Sequence, residues 1–135
     1  MNYLIKIIFF LIIIIPNIIL ANENKIIFKV NDKIYSAIDF QNRIKFLKTI
    51  NSLNIDSVNE KDLIYDYFSS AVFYERAQNS KYLINILNKE TIKIYEELVS
   101  KNQISNVLSE DIVKHNIKHD LARKIVLEDI LNNYQ

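Results

Sequence analysis

The chain has 135 residues, contains neither cysteine nor glycine, and sets 17 Lys and Arg against 16 Asp and Glu. A disulfide framework, a thiolate metal site and a cysteine nucleophile are therefore excluded, and so is a glycine-rich phosphate loop. The near-balance of charge leaves no basic field to hold nucleic acid, and no nucleic-acid partner is expected.

Met1 to Ala21 reads as a secretory signal: one basic residue, Lys6, an unbroken apolar run from Ile7 to Ile15, a break at Pro16-Asn17, and the small residue Ala21 ahead of polar Asn22. Cleavage after Ala21 is expected. The apolar stretch is shorter than the roughly 20 residues that cross a bilayer, but aliphatic Ile19 at the −3 position keeps an uncleaved anchor open as the other reading. If the segment is retained, it is the chain's only membrane contact. The segment holds one basic residue and no acidic one, so residues 22–135 are formally neutral. They read as one domain without internal repeat or low-complexity linker.

Ile26, Phe28 and Val30 alternate with Ile27 and Lys29, and Lys33-Ile34-Tyr35 resume after Asn31-Asp32. Asn and Asp tolerate the positive φ of a tight turn, so this is a β-hairpin signal. A hairpin of such short strands needs a helix or a third strand to cover its apolar face. Ser36 followed by Asp39 resembles a capping box, which starts a first helix near Ala37. Phe40, Ile44, Leu47 and Ile50 follow at helical spacing as its apolar face.

Asn51 to Asn59 is turn-like, and Ser57 with Glu60 offers a second capping box for a helix from about Val58 to Gln78. Ile64, Tyr67, Phe68, Ala71 and Val72 follow helical spacing there. Leu63, Phe73 and Tyr74 widen the face, as expected of a central helix packed by several neighbours or of one wall of an aromatic groove. Asn79 to Leu87 has no decisive period. Connector, short strand and continued helix all remain open. Asn88 reads as the N-cap of a helix from Lys89 to about Lys101, with Ile92, Tyr95, Leu98 and Val99 inward. Ser109 starts the last and longest helix, with Glu110 and Asp111 in its first turn and Val113, Ile117, Leu121, Ile125 and Leu131 as its stripe. The expected fold is thus mainly α: a small domain of about four helices behind a short N-terminal β-hairpin.

Candidate chemistry is sparse. Asp111, His115 and His119 share one helix face at the spacing of metal ligands. The metalloprotease pattern, however, requires Glu after the first His, where Asn116 stands. Two solvated histidines on a polar face are the expected reading, with no metal and no cofactor. No serine or aspartate sits in a nucleophile context, and an enzyme is not expected. Charges alternating along helix faces, as in Glu96-Glu97 to Lys101, read as solvated surface.

The order of the N-terminal signals carries a resemblance. Val30-Asn31-Asp32-Lys33-Ile34, then Ser36-Ala37-Ile38-Asp39, then Arg43 and Leu47 resemble the opening of the SurA-type periplasmic chaperone and peptidyl-prolyl isomerase family, with its turn hairpin and its Asp-x-x-x-Arg helix. Leu63-Ile64 through Glu75-Arg76-Ala77, Asn88-Lys89-Glu90, and Leu121 to Leu131 with Arg123 are similar to that family's later helices, so the resemblance spans about Lys25 to Leu131. A glycine common before the family's third helix is absent. No parvulin segment follows within the 135 residues, so isomerase activity is not expected.

The resemblance implies a periplasmic, non-catalytic, chaperone-like domain over 22–135 that holds unfolded, outer-membrane polypeptides in an apolar groove. Phe40, Leu47, Tyr67 and Phe68, between the first and second helices, are the candidate lining. The competing expectation is an interaction module that homodimerises or pairs with a separate parvulin-bearing chain through an uncovered hairpin edge.

Overall fold

The structure, a computed structural model, describes residues 25–50, 55–104 and 108–133. The expected signal segment, 1–21, lies outside them, as does the start of the expected turn after the first helix.

Strands β1 (Ile26–Val30) and β2 (Lys33–Ser36) form an antiparallel hairpin that pairs Val30 with Lys33, Lys29 with Ile34 and Phe28 with Tyr35. Asn31 turns the chain at φ 52°, the left-handed region that Asn enters most readily after Gly. The register slips between Ile26 and Phe28, and Ala37 N–H then donates to the Lys25 carbonyl at 2.7 Å, carrying the ladder into the next helix. The capping box forms: Ser36 N–H and Oγ donate to Asp39 Oδ2 at 2.8 and 2.7 Å, and Asp39 N–H donates to Ser36 Oγ at 3.3 Å. Helix α1 (Ala37–Ile50) begins there.

The inner face of α1 is Phe40, Arg43 and Phe46. The expected stripe divides instead between two clusters. Phe40 and half-buried Ile44 pack with Val30, Tyr35, Tyr67 and Ala71. Leu47 and Ile50 pack with Phe46, Leu108, Val113 and Ile117. A helix packed on two flanks buries the wedge between them, and here that wedge holds an arginine.

A 3-10 turn (Ile55–Ser57) precedes α2 (Glu60–Gln78). The cap of α2 is Asn59, whose side chain accepts from Lys61 N–H at 2.9 Å, and not the expected Ser57. Buried Ile55 anchors the turn containing Ser57, which moves the start of the helix downstream. Only Asn79 and Ser80 separate α2 from α3 (Lys81–Ser100), where Ser80 Oγ accepts from Leu83 N–H at 3.3 Å. This corrects the expected break at Asn88. Leu83, Leu87 and Thr91 recur every four residues and are buried, while Asn88 lies exposed in the helix interior. Thr91 satisfies its hydroxyl by donating to the Leu87 carbonyl at 2.6 Å. Ile92 and Val99, expected to face inward, are exposed.

At the C-terminus of α3, Asn102 takes φ 52° and Gln103 N–H donates to the Leu98 carbonyl at 3.0 Å. This is a Schellman closure in which Asn holds the position usually given to glycine. Helix α4 (Glu110–Asn133) starts from Ser109 as expected, and Ile112 N–H donates to Ser109 Oγ at 3.4 Å. Its buried face is Val113, Asn116, Ile117, His119, Ala122 and Val126. Leu131, placed in the stripe by its spacing, is exposed. Among the described residues no helix is long and apolar enough to cross a membrane. Among the described residues the architecture is mainly α, four helices behind one hairpin, with α4 packed along both α2 and α3.

An ion cluster joins three of these helices. Arg43, its side chain only 3% exposed, donates through Nη2 to Asp66 Oδ2 at 3.2 Å and to Asp120 Oδ1 at 2.5 Å. Arg123 Nη2 donates to Asp66 Oδ1 at 2.9 Å and to the Asp66 carbonyl at 3.0 Å. Burial works against the charge on Arg43, but Asp120 and Asp66 outweigh it and its pKa rises. Burial likewise opposes ionisation of Asp66, yet the two guanidiniums hold its carboxyl below the ordinary range. The Phe46 ring lies 5.9 Å from the Arg43 guanidinium carbon.

Because both aspartates keep water on one side, the loss on breaking the cluster is smaller than for a fully enclosed pair. Arg43→Met is expected to lower the unfolding free energy by about 2 kcal/mol in urea titration. Arg43→Lys should recover little of it, since a single ammonium cannot reproduce the guanidinium fork.

Candidate functional site

The four residues expected to line a groove are not gathered on one surface. Phe40 and Tyr67 are buried in the cluster beneath the hairpin. Leu47 is half-buried on the opposite flank of α1, beside Phe46. Phe68 is exposed and meets Phe28 edge-on, with ring centroids 5.4 Å apart.

Two apolar grooves nonetheless flank α1. The first, of about 410 Å3, runs between the hairpin and α1 over Ile27, Phe40 and Ile44, with Lys25, Lys45 and Glu60 at its rim. It shares Phe40, Ile44 and Glu60 with a second hollow of about 290 Å3 that continues past Ile55, Val58 and Leu63 at the start of α2. Lys48 and Asp56 pair at 2.6 Å beside it. The groove on the other flank, of about 260 Å3, is lined by Phe46, Ile50, Ile94, Leu98, Ile117 and Leu121, with Asp120 and Lys124 at its edge. Only Phe40 among the expected lining residues reaches either groove. The second flank was signalled by the four-residue spacing of Ile94 with Leu98 and of Ile117 with Leu121, which reads equally well as ordinary core.

Between α2, α4 and the hairpin lies a closed aromatic box. His119 is fully buried, stacked on Tyr74 at 4.6 Å, with Tyr67 at 5.5 Å, Tyr35 edge-on at 5.8 Å and His115 at 4.4 Å between ring centroids. Tyr35 donates its hydroxyl to Glu75 Oε1 at 3.1 Å. Neither ring nitrogen of His119 has a hydrogen-bond partner. This corrects the expectation of two solvated histidines. Three tyrosine rings supply a flat apolar wall on which a neutral imidazole packs as another aromatic ring. Among the described residues no set of three His, Asp or Glu side chains is placed to hold a metal ion.

Burial, reinforced by coupling to His115 and by the charges of Arg43 and Lys33, depresses the pKa of His119 to about 2. His115 is lowered too, chiefly by burial. The phenols of Tyr35, Tyr67 and Tyr74 are raised, also chiefly by burial. The box is therefore uncharged at neutral pH.

Compared with protein-family models, with characterised proteins and with solved structures, the chain matches none.

The sign of the acid response follows. An unfolded imidazole titrates near pH 6.5, so above that value His119 is neutral in both states and contributes no pH dependence. Below it only the unfolded chain takes the proton, and stability falls by about 1.4 kcal/mol per pH unit for this group alone. Asp66, held low by Arg123 and Arg43, adds its own loss only as the pH drops below the ordinary carboxylate value of 3.8. Urea titrations between pH 7 and about pH 4 are expected to show this decline, and His119→Phe should reduce its slope by one proton's worth. An unchanged slope in the variant would contradict the assignment.

Proposed function

We propose that this protein is a non-enzymatic, chaperone-like carrier, acting in the periplasm, that holds apolar segments of unfolded outer-membrane polypeptides in the grooves flanking α1. One observation supports this reading above the others: oily hollows on both flanks of a single helix, over Ile27, Phe40 and Ile44 on one side and Phe46, Ile94 and Leu98 on the other, each rimmed by charge. An apolar floor accepts side chains without a sequence code, and charged rims keep the carrier soluble. The resemblance of the hairpin and first helix to the SurA-type family supports the same reading, and the signal-like residues 1–21 support the location.

The magnitudes suit holding and release. A hollow of this size takes one or two side chains, each contributing about 1.5–3 kcal/mol when fully buried. Ordering an extended chain cancels much of that. Weak, reversible capture is the outcome.

A second reading rests on the hairpin and the first turn of α1, where Ile26, Ile34 and Ile38 are exposed at 56%, 52% and 44%. Such a ridge also suits pairing with a second copy or a parvulin-bearing chain. Sedimentation at increasing concentration separates the two readings, since a self-pairing module dimerises without any client.

In a light-scattering assay, residues 22–135 in several-fold excess are expected to suppress aggregation of a chemically unfolded β-barrel protein. Ile94→Lys, which places a charge over the second groove, should weaken that effect about tenfold with the helical circular dichroism unchanged. A wild-type chain without effect would overturn the carrier role.

A further inference from the structure

The aromatic box lies on a seam between two layers of the molecule. Tyr35 is its wall from β2, whereas Tyr67 and Tyr74 come from α2 and His115 and His119 from α4. On the far side of the seam α2, α3 and α4 share a core cluster that contains no residue of the hairpin or of α1. The two layers can therefore part with that cluster intact. Closed, the box offers a proton nothing. Both ring nitrogens of His119 lack a hydrogen-bond partner, and an imidazolium there would bury N–H donors with no acceptor. Parting the layers would take Tyr35 away and admit water. Tyr74, stacked on His119 at 4.6 Å from the α2 side, would remain to attract the imidazolium that forms.

The surrounding charges act in the same sense. Lys33 of β2 and Arg43 of α1 oppose a proton on His119 and on His115, and Asp39 of α1 favours one on His115. All three belong to the departing layer, which removes more positive than negative charge from the pair. Lys118 of α4 stays and still opposes a proton on His115. On α2, Glu75 loses the hydroxyl it accepts from Tyr35, and the phenols of Tyr67 and Tyr74 are pushed further from ionisation by burial. Asp66 and Asp120, left behind by Arg43, keep only Arg123 beside them. Arg43 itself is raised and Asp66 lowered, so the knot that crosses the seam supplies no proton-linked term of its own near neutrality.

We propose that this seam is an acid-released joint: on mild acidification the hairpin and α1 part from α2 and α4 while the core cluster of α2, α3 and α4 holds, because the parted form accepts a proton on the His119–His115 pair that the closed box excludes. Parting uncovers the Tyr67 and Phe40 rings, which are buried together beneath the hairpin, and Phe40 already floors the first apolar groove. In a carrier, acid would thus add holding surface. That use rests on the carrier reading, whereas the joint itself is read without any client, so the two fail separately.

The test is amide hydrogen exchange followed by NMR, with each rate divided by that of an unstructured peptide at the same pH, which gives an opening constant for each amide. Amides of β2 and α1 are expected to open more readily than those of Leu83 to Thr91 in α3 at either pH. Between about pH 7 and pH 5 the constants of β2 and α1 should rise about 25-fold, the share of one imidazole that titrates near 6.5 once freed and stays neutral while enclosed. His119→Phe, which keeps a ring against Tyr74, should cut that rise to a few-fold. The wild-type chain decides the matter even if the variant folds poorly. Constants for β2 and α1 that equal those of α3, or that exceed them but do not respond to acid, would overturn the proposal, as would an undiminished rise in a folded His119→Phe.

Discussion

A guanidinium keeps its proton under all conditions a protein meets, so an arginine in the interior must bring its counter-charges with it. Arg43 is in that position, and the acids that answer it lie 23 and 77 residues further along the chain. Pairing its Nη2 with both fixes α1 against α2 and α4 at once, and Arg123 locks the same Asp66 from the other side. Burying a charge is costly, and in this placement of α1 the two aspartates offset that cost. The wedge of α1 beside the arginine is filled by Phe40 toward the hairpin and by Phe46 toward α3 and α4, and the flanks beyond those two rings stay open. The grooves are thus a by-product of seating a helix on a polar knot rather than on a broad apolar seam.

The aromatic box beside that knot obeys the opposite rule. His119 lies within reach of the Arg43 field, and it stays there only because it is neutral. Tyr35, Tyr67 and Tyr74 enclose it with ring faces, while their own phenols are pushed away from ionisation. One interior therefore holds a balanced cluster of full charges and, next to it, a pocket of titratable groups all kept uncharged.

What was legible in the sequence was local. The Asn31 turn, the Ser36–Asp39 box and the Ser109 cap depend on groups within four residues of one another, and each forms as read. The start of α3 was missed because Asn88 has a good capping side chain and nothing nearby shows that it already sits inside a helix. Its inner neighbours Leu83, Leu87 and Thr91 become informative only once α2 and α4 are there to bury them. His119 misled for the same reason: a polar residue reads as solvent-facing until its distant partners, here the tyrosine rings, are known, and the burial of Arg43 likewise depends on acids far along the chain. The groove lining suffered most. Exposure is decided by which helices meet, and Leu47 packs beside Phe46 while Phe68 meets Phe28.

The three core clusters are unevenly shared among the elements. Tyr74, Ala77, Leu83, Leu87, Ala122 and Val126 form a tier drawn wholly from α2, α3 and α4. The hairpin and α1 join the molecule through the other two clusters, the Arg43 knot and the contacts of Tyr35 with Glu75 and His119. Opening energies follow such divisions, so the N-terminal strand pair and its helix form the unit that undocks at the least cost, as a hatch over a three-helix frame that remains zipped. A chain built this way breathes from one end. Amide protons in the α2–α3–α4 tier would outlast those of the hatch, and each opening would uncover the Phe46 and Tyr67 rings together.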